Sequence, residues 1–296
     1  MKARMRSGAF VTALFIAAAA AVFAPAFCFA FTLPANLGKV IYSWNANSPR
    51  IIYVIGTSHK DAVAMKDGPD TVKAQAEVYK IGQYLAQSGV HLLLPEGFFQ
   101  LSGTALNEKI ASPAKTPAQA QAMDTGKNLP GKTIAKFVLN PDVYVNAEML
   151  IEKHLGFILA QVEDLDLYKK ELGILEQSGQ PDYFTMLNLQ YLQRMRTACM
   201  LQKAPEVTDK DCSDGLIKTN GAIMTVGLAH LKELIGFLEK GRINIEAPLF
   251  APADYRDYSA GLNVSRLGYG VVVIVPAGLA SDRAVLQATG LAALNK

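Results

Sequence analysis

The chain has 296 residues, half of them hydrophobic, with 29 Lys and Arg against 26 Asp and Glu. Three of the basic residues, Lys2, Arg4 and Arg6, lie in the first six positions, so the remaining chain has 26 basic against 26 acidic residues. That balance gives no electrostatic case for a nucleic-acid partner. The length suits one large domain or two small ones with a sizeable core.

The basic start is followed by an apolar stretch from Phe10 to Phe23, broken only by Thr12. Pro25 then interrupts it, and Cys28-Phe29-Ala30 offers a small-residue cleavage site. Residues 1–30 therefore read as a signal peptide cleaved after Ala30, which places the protein in the periplasm or outside the cell. The stretch is short for a membrane span and has no charged stop after it. No permanent membrane anchor is expected once it is removed.

Val40–Trp44 and Ile51–Ile55 are β-forming runs joined by Asn45-Ala46-Asn47-Ser48-Pro49, the pattern of an N-terminal β-hairpin. The second run leads into Gly56-Thr57-Ser58-His59. Pro69 to Ser88 has helical spacing and Gly89 stops it. Val90–Leu94 reads as a short buried strand ending at Pro95-Glu96-Gly97. Strand, helix and strand in that order predict a βαβ unit with parallel strands.

Residues from Phe98 to about Asn140 show no sustained strand and read as short helices and loops, a lid over a cleft. Helices are expected over Pro141–Leu159, Leu165–Gln177 and Tyr183–Leu201, forming a helical insertion over about residues 98–205. The polar run Gln202–Asp211 reads as a loop between Cys199 and Cys212, so both a disulfide and two free thiols remain open.

Gly221–Val226 returns to a strand, Leu231–Lys240 to a helix ended by Gly241, and Ile243–Ile245 to an extended piece. Val271–Val275 is five consecutive β-branched residues, the composition of a strand buried on both faces. Ser281–Leu294 reads as a terminal helix. The expected class is α/β, with a mostly parallel central sheet and flanking helices over residues 31–296.

Two patterns far apart in sequence share one form. Tyr53-Val54-Ile55-Gly56-Thr57-Ser58-His59 and Met224-Thr225-Val226-Gly227-Leu228-Ala229-His230 each run from a β-forming segment through Gly-x-x-His. With 23 Gly and 4 His in the chain, chance alone predicts about 0.3 such spacings. Both close a predicted strand, and in α/β folds ligands sit outside the carboxyl ends of strands. Glycine lets the backbone turn sharply and approach a ligand there. Glu96 holds the same kind of position after its own strand.

Three neighbouring parallel strands would bring His59, Glu96 and His230 to one rim. Two imidazoles and a carboxylate form a ligand set for Zn, Mn or Co with positions open for water. Without a metal, one His would serve as general base on water with Glu96 orienting it. His91 and His154 lack this context and read as structural or surface residues. Gly126-Lys127-Asn128-Leu129-Pro130-Gly131-Lys132-Thr133 satisfies the P-loop pattern but follows no strand, and is set aside.

Together these anchors resemble the TraB/GumN/Tiki family, within the wider group of erythromycin esterases and ChaN-like haem-binding proteins. The shared elements are the hairpin ending in Gly56-Thr57-Ser58-His59, the strand ending Leu92-Leu93-Leu94-Pro95-Glu96, and Val226-Gly227-Leu228-Ala229-His230-Leu231 before a helix. Arg196 and Met200 are spaced like a family helix motif. Thr197 and Leu201 depart from it, where Asn and Ala are usual, and Pro95 is a departure beside Glu96.

The resemblance implies an α/β fold with a pseudo-repeat and a helical insertion. It also implies a hydrolase-like site of His59, Glu96 and His230 with Arg196 near, and a divalent metal. The substrate would be a peptide or a small molecule. The ChaN-like relatives imply the alternative, a non-catalytic haem or ligand carrier.

Overall fold

The computed structural model describes residues 31–58, 69–100, 147–177, 182–219, 221–252 and 255–292, apart from the side chains of residues 69–72, 176, 177 and 267. The expected signal peptide, His59, the P-loop-like segment and nearly all of the expected lid lie outside these residues. None of the described helices is long and apolar enough to cross a membrane.

The fold is α/β. Its central sheet has six strands: β1 (Gly38–Trp44), β2 (Ile51–Thr57), β3 (Leu92–Pro95), β4 (Ile158–Leu159), β5 (Gly221–Gly227) and β8 (Gly270–Pro276). Their spatial order is β1-β8-β2-β5-β3-β4. Every pair is parallel except β1 with β8. The strands β6 (Arg242–Ile245) and β7 (Tyr258–Gly261) form a separate antiparallel pair.

Alternation along the central strands divides the apolar side chains between two cores. Ile51, Tyr53, Ile55, Leu93, Ile223, Val272 and Ile274 point to one face. They pack there against α1 (Pro69–Gln87) and α2 (Ala147–Leu155). Ile52, Val54, Leu92, Leu94, Met224, Val226, Val271 and Val273 point to the other. They meet α4 (Tyr183–Ser213) and α5 (Leu228–Lys240) there. The helix α3 (Leu165–Gln177) pairs with α4. Three short helices follow: α6 (Asn263–Leu267), α7 (Ala277–Ser281) and α8 (Arg283–Ala288).

The two N-terminal strands form as expected, but they do not pair as a hairpin. The strand β8 lies between them. All seven of its residues are buried, so it needs a partner on each edge, whereas β1 is only partly covered and suits the sheet margin. The connection is fastened to the start of β8. Gly270 N–H donates to Arg50 O at 2.7 Å and Asn45 Nδ2 donates to Tyr269 O at 3.2 Å. A Cβ on Gly270 would stand 2.3 Å from Asn45 O, so only glycine permits this approach.

The βαβ unit is likewise opened. Both β2 and β3 pair with β5, which lies between them. The expected helix Pro141–Leu159 is shorter where described. Gly156, at φ +70°, ends α2, and Ile158–Leu159 joins β3 as an edge strand. The expected insertion therefore contributes a strand to the sheet.

The expected loop Gln202–Asp211 is helix. It continues α4 through Pro205 to Ser213, burying Ala204, Pro205, Thr208 and Asp211. Cys199 and Cys212 thus lie on one helix, about 20 Å apart at 1.5 Å per residue, and both are free. The expected terminal helix Ser281–Leu294 is shorter, Arg283–Ala288. The Asp282 carboxylate accepts from Ala284 N–H and Val285 N–H, starting α8 separately from α7.

Gly270→Ala lowers stability by about 1–3 kcal/mol because the added methyl meets backbone. Gly236→Ala, in α5 with nothing within 4 Å of its would-be Cβ, raises it by about 0.5–1 kcal/mol. Urea midpoints of the two variants against wild type check both signs. Cys199 and Cys212 both titrate as thiols in unfolded, unreduced protein.

Candidate functional site

Because β5 lies between β2 and β3, the carboxyl ends of three parallel strands stand side by side, at the location where α/β folds bind ligands. The strand β3 ends at Pro95, and Glu96 N–H donates to Thr225 O at 2.9 Å, extending the ladder with β5. Strand N–H groups alternate sides, so Pro95 directs its nitrogen toward β4. The β3–β4 ladder has already ended there with Ala160 N–H on Leu93 O. The proline therefore costs no ladder bond and leaves Glu96 aimed at α4 and α5. Gly97 follows at φ +76° and turns the chain away.

The strand β5 ends at Gly227, which is also the N-cap of α5. Gly227 N–H donates to Glu96 Oε2 at 2.6 Å. The carboxylate thus sits at a helix N-terminus, where negative charge is favoured. His230, on the first turn of α5, is 3% exposed. Its Nε2 stands 3.1 Å from Glu96 Oε1, and its Nδ1 stands 2.6 Å from Thr197 Oγ1.

Thr197 and Arg196 come from α4. Each nitrogen of the Arg196 guanidinium meets a different carboxylate. Nε donates to Glu163, Nη1 to Glu171 at 2.5 Å and Nη2 to Glu96 at 2.9 Å. The guanidinium also lies over the Tyr168 ring, 5.0 Å from its centroid. Glu163, fully buried, spans two parts of the site, because its other oxygen accepts from Gly97 N–H at 2.7 Å.

Burial by itself would raise the Glu96 carboxyl. His230, Arg196 and the Gly227 N–H outweigh it and hold the group well below the usual carboxylate range. Burial pushes Glu163 up despite the adjacent Arg196. Burial also works against the Arg196 charge, but its three carboxylates hold it firmly protonated.

The structure thus brings together three of the four residues read as a site: Glu96, Arg196 and His230. His59 lies outside the described residues. The described chain reaches Ser58, and its neighbour Thr57 pairs directly with Gly227. The glycine of the first Gly-x-x-His has a packing role. Gly56 lies inside β2, and a Cβ there would stand 2.6–2.7 Å from Leu231 and Leu228 of α5. His91 and His154 lie elsewhere, against Phe157 and Tyr79 respectively.

Sequence reading missed Thr197, Glu163, Glu171 and Tyr168 as members of the site. Tyr168 and Glu171 are three apart on α3, a spacing that places both on one helix face. Glu163 stands beside Val162, and both are fully buried, which nothing local in the sequence marks. Comparisons of the chain with protein-family models, curated proteins and solved structures find no match.

The donors fit a divalent ion in part. His230 Nε2 and Glu96 Oε1, 3.1 Å apart, are the two described donors that would hold such an ion. Among the described residues no group of three or more His, Cys, Asp and Glu has metal-binding spacing. Arg196 has a carboxylate on every nitrogen, so it organises the site and does not clamp substrate.

Arg196→Met leaves the fully buried Glu163 without its cation and lowers stability by about 3–5 kcal/mol, as denaturant titration at neutral pH will register. A depressed folded pKa stabilises fully above the ordinary value, 4.5 for Glu96, and the contribution is lost as pH falls toward the folded one. The stability gap between metal-free wild type and Glu96→Gln therefore narrows from about pH 6 to about pH 3. A gap that stays constant or widens over that range contradicts the assignment.

Proposed function

We propose that this protein is an exported, metal-dependent hydrolase of the TraB/GumN/Tiki type, peptidase-like, acting on a peptide or small-molecule substrate in the periplasm or outside the cell. One observation carries the reading. Glu96 and His230, 134 residues apart in sequence, meet at 3.1 Å at the carboxyl ends of neighbouring parallel strands, with Arg196 on the same carboxylate.

In this reading His59, Glu96 and His230 hold a divalent ion, with Mn, Co or Zn suited to the donors. When bound, the ion supplies an acidified water and polarises the scissile carbonyl. The protein's own groups set the geometry. Arg196 fixes one oxygen of Glu96 and Gly227 N–H fixes the other, so the carboxylate has a single orientation. Arg196 and Gly227 N–H take two of its roughly four acceptor positions, one on each oxygen. The remaining positions would be open to the ion and to a proton taken from water. Thr197 holds the far side of the His230 ring.

The test is metal analysis of purified wild type beside His59→Ala and His230→Ala, with peptide hydrolysis measured with and without chelator. The expected result is bound metal in wild type alone. Loss of several kcal/mol of transition-state stabilisation corresponds to a fall in turnover of about a thousandfold or more in each variant. Equal metal content in all three proteins overturns the metal assignment.

A further inference from the structure

We infer that the outer edge of β7 is a docking site for an extended peptide, which adds there as a third strand and lies in a groove over α4. The inference uses none of the residues assigned to the metal reading.

The pair β6–β7 lies across α4. Arg194 of α4 pairs with Glu233 of α5 at 3.0 Å and also donates to Asn244 O at 3.3 Å. The outer edge of β6 therefore faces α5, and β7 stands on the opposite flank, toward α3. Asn244 directs its carbonyl away from β7, and residues opposite each other in an antiparallel pair share that sense. Its partner Ser259 thus directs N–H and C=O away from β6, as does Gly261 two residues on. Both residues are exposed, and among the described residues no hydrogen bond reaches those backbone groups. Such an edge is a template for another strand.

The space beside this edge is a groove. Two cavities of about 300 Å³ each lie along α4 and share Leu167 of α3, Met195 of α4 and Tyr258 of β7. The floor is thus α4, and the walls are α3 and β7. From Tyr191 to Glu206 the groove follows α4 for about 22 Å at 1.5 Å per residue, the length of about six or seven residues of strand. Tyr258 is fixed where the cavities meet, its hydroxyl accepting from Gln202 Nε2 at 2.8 Å. A strand added to β7 points alternate side chains at α4, and pockets for alternate side chains are what give strand addition its specificity. The floor they meet is apolar at Leu167, Met195 and Ala198. Lys170, Lys203 and Arg256 line the groove against Glu206 and Asp257. Both acids already accept hydrogen bonds, from Asn263 Nδ2 and Ala247 N–H. The peptide that fits is therefore apolar at its inward positions and acidic overall.

Selection of phage-displayed random decapeptides on the purified protein, then fluorescence anisotropy of the recovered sequences as synthetic peptides, tests this on wild type, Ser259→Ala, Ser259→Pro and Lys203→Glu. EDTA in every buffer keeps the result independent of bound metal. Proline removes an N–H that β6 does not use, on the side of an edge strand where proline is tolerated. Alanine keeps that N–H. The expected affinity is within about twofold of wild type for Ser259→Ala and weakened about tenfold for Ser259→Pro. Lys203→Glu weakens it about threefold at low salt, and the difference closes near 1 M salt. N-methylation along the peptide reads the same contact on unaltered protein. Methyl groups on alternate amides weaken binding about tenfold, and those between them do not. No selected peptide, a uniform response to N-methylation, or wild-type affinity in Ser259→Pro overturns the inference. A wild-type dimer that Ser259→Pro disperses in sedimentation velocity also overturns it, and gives the edge to a second copy of this chain.

Discussion

A single guanidinium shared among three carboxylates organises this molecule around its candidate site. Arg196 is nearly inaccessible, and each of its nitrogens serves a different acid from a different segment. Glu96 follows a core strand, Glu163 lies on the path from the edge strand to α3, and Glu171 is on α3 itself. A buried charge is tolerated only when paired and hydrogen-bonded. The four groups must therefore assemble together, and their assembly ties α3 and α4 to the carboxyl end of the sheet. Glu163 extends the tie to backbone, because its second oxygen holds the Gly97 N–H immediately after Glu96.

The sheet topology makes this arrangement reachable. A βαβ unit with adjacent strands would have placed the β2 and β3 ends together and left β5 elsewhere. Insertion of β5 between them places the start of α5 directly over the end of β3. Gly227 N–H and His230 then meet Glu96 without any long side chain bridging a gap. Close approach of α5 to the sheet depends on Gly56, where a side chain would collide with Leu228 and Leu231. The same principle operates at the other end of the sheet, where Gly270 lets the Asn45 carbonyl lie against β8.

The acidic groups outnumber the fixed cation in the described part of the site, and their surroundings treat them differently. Glu96, with Arg196, His230 and a helix N-terminus around it, is held ionised. Glu163, enclosed and facing the same arginine, is pushed toward its neutral form. Two carboxylates in contact with one guanidinium thus differ in character through burial and neighbours alone.

Much of this was legible in the sequence where the chemistry is local. Period-2 and period-3.6 patterns, together with glycines and prolines at their ends, marked β2, α1, β5, α5 and β8, and α3 to its limits. The repeated Gly-x-x-His and the acid after Leu92–Leu94 marked Glu96 and His230. Pairing was not local. The order β1-β8-β2-β5-β3 depends on which strand can bury both faces, and that is decided by the whole sheet. Nor was the continuation of α4 through Pro205 visible, because its polar run shows one buried stripe only once the core beneath it exists. The partners of Arg196 were hidden for the same reason, since an isolated Glu163 or Glu171 reads as solvent-facing. The sequence by itself determined the strands β2, β5 and β8, the helices α1, α3 and α5, and which two strand ends bear an acid and a histidine. Only the tertiary structure decided that those ends adjoin and that a buried arginine and threonine hold them, because burial and long-range pairing are properties of the assembled core.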